Sequence, residues 1–289
     1  MHYEGMIIRP PSEADSIILQ VTVGCSHNKC TFCGTYKDVR FRLKQDDVVD
    51  QDIDFAATYC KRQKRVFLAD GDALIIPQRR LVDLLTRIRR KISWVNRISL
   101  YGNAKSVLLK STEELKELKS LGLDRVYMGL ESGSDRILQN IRKGADAAKM
   151  IRAGQRVKDA GLFLSLTVLL GIGGTAYSRE HAVETGRVVS VMSANQIAVL
   201  TLMLLPNTEL YLLEKSSKFT LPSQTEMLHE LRLMVENIAI SRAQFQANHA
   251  SNYLPINCRL SRDKAMVLAA IDQALAGEKR LTPEYLRVL

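Results

Sequence analysis

Several protein classes are excluded by what the 289-residue sequence lacks. No run approaches the about 18 uninterrupted apolar residues of a membrane-spanning helix, and the amino-terminal stretch MHYEGMIIRPPSEADS has no apolar centre of the kind a secretion signal carries. A soluble, cytoplasmic protein is expected, with no membrane partner. There is no low-complexity segment and no long flexible linker. With 46% hydrophobic residues, the chain can bury the core of one large α/β domain or two small ones, which rules out a disordered or fibrous class. Cysteines number only five, an odd count, and three of them (Cys25, Cys30 and Cys33) fall within one short stretch. That spacing is too tight for a disulfide framework and suits metal or cluster ligation in a reducing compartment.

A charge of +10 and a pI near 9.4 favour an anionic partner: a nucleic acid, a phosphorylated metabolite or a carboxylate-rich substrate. Basic residues concentrate at Lys61, Arg62, Lys64 and Arg65 and again at Arg87, Arg89, Arg90 and Lys91. Both clusters fall where helix is expected, so a solvated helix face accounts for them, and no nucleic-acid-binding module accompanies them.

From residue 17 onward, apolar β-branched runs alternate with amphipathic helical stretches, the pattern of βαβ units around a parallel sheet. The expected strands are Ile17–Val23, Arg65–Ala69, Arg97–Tyr101, Arg125–Leu130, Phe163–Leu170 and Gln196–Leu204. Asp46 can cap a helix running toward Cys60, Pro77 suits the first turn of the next, and Ser111 with Glu114 makes a capping box for the third. Gly122 and Gly161 stand where glycines end helices before strands. Six βα repeats fall short of the eight that close a barrel, so residues 1–205 are expected to form a partial (βα)6 three-quarter barrel. Residues 206–289 read as a helical carboxy-terminal extension, with helical patterns over 223–242 and 261–276 and no strand separating them.

The most informative stretch is Val23-Gly24-Cys25-Ser26-His27-Asn28-Lys29-Cys30-Thr31-Phe32-Cys33, directly after the first expected strand. Three thiolates on one cubane cluster leave one iron open to a small molecule. The segment resembles the cluster loop of the radical S-adenosylmethionine (SAM) superfamily, whose usual form is C-x3-C-x2-C with an aromatic residue before the last cysteine. Phe32 fits the aromatic position, and the core is similar to coproporphyrinogen-oxidase-like and elongator-like members. Here the first spacing is C-x4-C, a loop insertion that lets the chain bow outward while all three sulfurs still reach one cluster. The alternative is a zinc site with His27 as fourth ligand, hence a non-catalytic binding module. Cys60 reads as a small buried hydrophobe in a helix, and Cys258 lies in a polar stretch.

In a βα barrel, functional groups gather at the carboxyl ends of strands, and each expected strand ends in such groups. Ala69-Asp70-Gly71-Asp72 is similar to the superfamily's Gly-Gly-Glu region, which implies that Gly71 and Asp72 bind the amino group of SAM's methionine moiety. Gly129-Leu130-Glu131-Ser132-Gly133 resembles its ribose-binding motif, implying ribose contacts for Glu131 and Ser132; one carboxylate can accept from two ribose hydroxyls. Gly171-Ile172-Gly173 resembles its adenine-packing region, and its spacing matches no Walker or dinucleotide fingerprint. Leu204-Leu205-Pro206-Asn207 offers a last edge for the adenine. Arg136 or Lys143 can pair the SAM carboxylate, although a surface role serves either equally well.

The resemblance implies a radical SAM enzyme: a [4Fe–4S] cluster cleaves SAM reductively to methionine and a 5′-deoxyadenosyl radical, which abstracts a substrate hydrogen. It also implies anaerobic chemistry and an electron donor such as flavodoxin or ferredoxin. The substrate expected is a small anionic molecule, with RNA or protein modification as the alternative. Substrate contacts are expected from Tyr101 and Asn103 after the third strand, and from Asn248, His249, Asn252 and Tyr253 in a stretch dense in amide, imidazole and phenol groups, unless that stretch is a capping loop bonded to itself. The first strand begins too early for a preceding cobalamin domain, and too few cysteines remain for auxiliary clusters.

Overall fold

The computed structural model describes residues 1–288. Among the described residues are strands β1 (Ile17–Gln20), β2 (Thr22–Val23), β3 (Arg42–Leu43), β4 (Arg65–Ala69), β5 (Arg97–Tyr101), β6 (Leu123–Glu131), β7 (Phe163–Leu170), β8 (Gln196–Thr201), β9 (Ala243–Gln246) and β10 (Asn257–Leu260), interspersed with ten α-helices. These helices are α1 (Asp46–Tyr59), α2 (Gln78–Lys91), α3 (Ala104–Leu108), α4 (Thr112–Ser120), α5 (Asp135–Asn140), α6 (Ala147–Asp159), α7 (Gly174–Met192), α8 (Glu209–Lys215), α9 (Gln224–Asn237) and α10 (Lys264–Leu275). Eight strands hydrogen-bond in the order β1-β4-β5-β6-β7-β8-β9-β10, the mostly parallel sheet of a partial βα barrel. Among the described residues, no helix is long and apolar enough to cross a membrane.

By compactness the chain divides into two units. The first comprises Met1–Asn28, Thr35–Met128 and Arg152–Leu164, and its strands β1, β4, β5 and β6 pair in parallel. Phe67, Ala69 and Tyr127 form part of its buried core, with Tyr101 set edge-on to Phe67 at 5.1 Å between ring centroids. The second comprises Lys29–Gly34, Gly129–Ile151 and the remainder from Ser165, with β7, β8 and β9 parallel and β10 antiparallel to β9.

Three of the six expected strands have the expected bounds, and the capping box of Ser111 with Glu114 forms, each side chain bonding the other's amide. Gly122 and Gly161 take φ of +102° and +72°, a conformation glycine adopts without strain. Other expectations need correction. The first strand is broken after Gln20: Thr22 and Val23 pair instead with Arg42 and Leu43, which return from the cysteine loop. Gln45 and Pro77 take the positions preceding α1 and α2, so Asp46 lies in the first turn rather than capping it. Cys60 caps the end of α1 and is half-buried.

The extension is also not purely helical. β9 joins β8 in parallel and β10 closes on β9, because Ala243 and Phe245 face inward on one strand and Cys258 and Leu260 on the other. Both strands alternate polar and apolar residues, but over only four residues each, too few for the period-2 pattern to stand out.

The basic runs are largely spoken for. Along α2, Arg87 meets Asp46 and Asp50 at 3.4 and 2.5 Å, and Lys91 meets Asp54 at 2.6 Å, so the basic face of α2 lies on the acidic stripe of α1. Lys61 lies 4.0 Å from the centre of the Trp94 ring.

Because Phe245 is fully buried, Phe245→Ala is expected to cost about 3–5 kcal/mol in a urea unfolding curve. A loss below about 1 kcal/mol would mean that β9 frays from the sheet.

Candidate nucleoside and cluster residues

In the first unit, the residues after β4 form a cradle for the start of the cysteine loop. A Cβ on Gly71 would stand 2.8 Å from Tyr36 Cε2 and 3.1 Å from Cys25 Cβ, so only glycine lets the two segments approach this closely. On one side of it, Asp70 accepts from Tyr36 Oη at 2.5 Å; on the other, Asp72 accepts from Ser26 Oγ at 2.5 Å and from Asn103 Nδ2 at 2.8 Å. Burial raises the pKa of both carboxyls. Asp72 is fully buried, and its oxygens serve Ser26 and Asn103, so the structure gives this residue the task of holding the cysteine loop. Asn103 also caps α3.

In the second unit, the later part of the loop is tied at three points. Thr31 donates its amide to the Ile141 carbonyl at 3.0 Å and accepts from the Leu210 amide at 2.9 Å, while Asn207 Nδ2 donates to the Gly34 carbonyl at 2.9 Å. Among the described residues no cysteine is in a disulfide, and no three His, Cys, Asp or Glu side chains form a ready-made metal group. Each of the three cysteines is a half-buried thiol, Cys25 in the first unit and Cys30 and Cys33 in the second, and thiolates are the ligands that iron–sulfur clusters take.

Glu131 ends β6 with φ at +63°, an unusual value for a residue with a side chain, and is buried. Its Oε1 accepts from Lys143 Nζ at 2.8 Å. A Cβ on Gly129 would stand 2.2 Å from that oxygen, so Gly129 makes the room the carboxylate occupies. Lys143 therefore pairs with Glu131, while Arg136 lies over the Tyr177 ring and near Glu180. Ser132 Oγ stands 2.9 Å from His181 Nδ1. After β7, Gly171 takes φ of +79°, Ile172 is buried, and Gly173 lies against Ile137, where a Cβ would come within 2.9 Å of Cδ1. The amide of Gly171 donates to Glu230 Oε1 at 2.7 Å.

His181 and Glu230 were missed by sequence reasoning. His181 sits in no motif; the available signal for Glu230 was an acid on the inward face of α9 among Met227, Leu231 and Met234. Burial pushes Glu230 up to about 7 and His181 down to about 3, the latter opposed by the Leu169 carbonyl, which favours a protonated ring as an acceptor.

The expected substrate residues fare unevenly. Tyr101 packs in the aromatic core, and its pKa is raised, chiefly by burial. Asn252 is buried, accepting from Thr201 Oγ1 and donating to the Val199 carbonyl, both at 2.8 Å. Tyr253 donates to Glu284 at 2.8 Å under the Arg287 guanidinium, 3.9 Å from its ring centre. His249 Nδ1 bonds Ser251 at 2.9 Å. The stretch is therefore a loop bonded to itself and to β8, and of its four candidate residues Asn248 is the exposed one. Cys258 is buried on β10, and burial raises its thiol to about 11.

Glu230 supplies a pH test. A carboxyl whose folded pKa is raised from 4.5 to about 7 contributes stability that is full below 4.5 and lost as pH rises through 7. The stability advantage of wild type over Glu230→Gln is therefore expected to shrink across pH 4.5–7, by up to about 3 kcal/mol in total. Parallel unfolding curves at fixed ionic strength read it; a constant difference would mean that Glu230 titrates normally.

Comparison with known proteins bears on the whole arrangement. The heme chaperone HemW of Bacillus subtilis (strain 168) is 24% identical over 168 residues, 56% of this chain and 43% of HemW. Coproporphyrinogen III oxidase (HemN) from Escherichia coli superposes with a TM-score of 0.55 at 13% identity, covering 76% of this chain and 51% of that one. The archaeal Elp3 of Methanocaldococcus infernus gives 0.52 at 14%, covering 80% and 59%. The two structures share the fold, and the chain spans less than half the length of HemW. Since the family model itself matches residues 19–186, more than half of the sequence and every motif from the cysteine loop to the Gly171 turn, the chain belongs to the radical SAM superfamily, enzymes that use a [4Fe–4S] cluster and S-adenosylmethionine.

Proposed function

We propose that Cys25, Cys30 and Cys33 hold the cluster and that the protein uses it to cleave SAM reductively, directing the outcome at a hydrogen of a small anionic substrate. The observation that carries this reading is Glu131, a buried carboxylate at the end of a strand, in left-handed backbone and with Gly129 cut away beside it. Held by Cys25, Cys30 and Cys33, the cluster would supply the electron for reductive cleavage of SAM to methionine, and the adenosyl fragment would take the substrate hydrogen to leave as 5′-deoxyadenosine. The protein's own part is binding, orientation and exclusion of water.

In this reading Glu131 accepts the ribose hydroxyls, its charge balanced by Lys143, with Ser132 beside it. Gly171, Ile172 and Gly173 line the adenine, and the backbone at Gly71 meets the methionine amino group while Asp72 keeps Ser26 in place. Residues 1–205 carry the SAM chemistry, and 206–289 form the extension that shapes substrate access, with Asn248 exposed and His249 half-buried on it. An electron donor such as flavodoxin or ferredoxin, in a reducing, anaerobic cytoplasm, suits a thiolate-held cluster. The pairing of α2 with the acidic stripe of α1 weakens the case for RNA and favours a small molecule.

Anaerobic reconstitution is expected to load close to four irons and four sulfides per chain, and dithionite with SAM to release 5′-deoxyadenosine. Cys30→Ala should lose both and Cys60→Ala neither; stoichiometric zinc without labile sulfide would support the binding module instead. Glu131→Gln should retain iron but weaken SAM binding by about 1.5–3 kcal/mol, roughly ten- to a hundredfold, in anaerobic dialysis. An unchanged dissociation constant would remove the ribose assignment.

A further inference from the structure

Glu230 and His181 are buried ionisable groups for which the chemistry above has no use. Glu230 has 1% exposure on the apolar face of α9, and His181 is fully buried on α7. Burying such groups is costly unless their hydrogen bonds are made, and here the partners are informative. Glu230 Oε1 holds the Gly171 amide at 2.7 Å, and Oε2 accepts from Ser178 Oγ at 2.5 Å. His181 Nδ1 lies 2.9 Å from Ser132 Oγ and 3.2 Å from Thr185 Oγ1, and Thr185 in turn accepts from the Gly133 amide at 2.9 Å. The remaining ring nitrogen, Nε2, faces Glu230 Oε1 at 3.7 Å. Two polar links, Ser132 to His181 and Gly171 to Glu230, thus lie side by side and tie the residue after Glu131 and the first glycine of the β7 turn to two helices that neither motif includes.

We infer that Glu230 and His181 are positioning residues for the nucleoside half of SAM: the carboxylate of α9 fixes the Gly171 turn and the imidazole of α7 fixes Ser132. This rests on the assignment of Glu131 and the Gly171 turn to the nucleoside. It also gives the extension a second task, because the segment leading into α9 clasps the same turn. Met227 Cε stands 2.8 Å from where a Gly171 Cβ would lie, and the Thr175 amide donates to the Thr220 carbonyl at 3.0 Å. Glycine at 171 and the packing of α9 are therefore one requirement, and the buried carboxylate is the polar pin within it.

The test uses the full chain, reconstituted anaerobically to matched iron loading, with Glu230→Ala, Glu230→Gln and His181→Phe. Glu230→Ala is expected to weaken SAM and S-adenosylhomocysteine together by roughly tenfold, as loss of a charge-assisted hydrogen bond would. Affinity for L-methionine, which lacks the nucleoside, should stay the same. In the cofactor-free protein, exchange of the Gly171 amide measured by NMR should accelerate. Glu230→Gln should recover SAM affinity to within about threefold, since its carboxamide still accepts from Gly171 and donates to Ser178. His181→Phe fills the volume without the anchor and should weaken the same two ligands, which keeps the test alive if Glu230→Ala does not fold. Wild-type SAM affinity in folded Glu230→Ala and His181→Phe, or an equal loss for SAM and methionine, would overturn the inference. If Glu131→Gln itself left SAM binding untouched, the nucleoside assignment would fall instead.

Discussion

Several strands of this sheet end in, or are followed by, a polar group that must find a partner inside the protein or on a ligand. That constraint organises the molecule. After β4 it is met by Asp70 with Tyr36 and by Asp72 with Ser26; after β5 by Asn103, which bonds Asp72 and caps α3; at the end of β8 by Thr201 with Asn252. After β6 it is met by Glu131 with Lys143, and after β7 by the Gly171 amide with Glu230. Where the partner is wholly internal, the group is part of the scaffold. Where a carboxylate is held by a single lysine in left-handed backbone, acceptor capacity remains for something else.

Three acidic residues at or near these ends show how far environment decides role. Asp72 and Glu230 are buried deeply enough that the neutral form gains, and each spends both oxygens on neighbours. Glu131 keeps an ammonium partner, and glycines on either side of it, Gly129 and Gly133, lie against structure that a Cβ would strike. A motif alignment treats all strand-end acids alike; their hydrogen bonds separate them.

The carboxy-terminal third is more than a cover. β9 and β10 extend the sheet, α9 supplies Glu230 to the Gly171 turn, and Arg287 clamps the loop that carries Asn252 and Tyr253 through Tyr253, Glu284 and the Ser251 carbonyl. The basic run of α2 likewise lies against α1, where the arginine and lysine of one helix answer aspartates spaced four apart on the other.

The cysteine loop, the strand-end motifs, three strands to the residue, the Ser111 capping box and the glycines at 122 and 161 were legible in the sequence, because each depends on local spacing or on one residue's conformational freedom. Residue type says nothing about what lies opposite Asn252, Tyr253 and Asn103; tertiary packing supplied Thr201, Glu284 and Asp72 as their partners. β9 and β10 were too short for their alternation to outweigh the helical patterns beside them, and pairing with β8 made them strands. Glu230 and His181 carry no local signal for a link to Gly171 and Ser132, 59 and 49 residues away, and acquired it when α9 and α7 packed beside them.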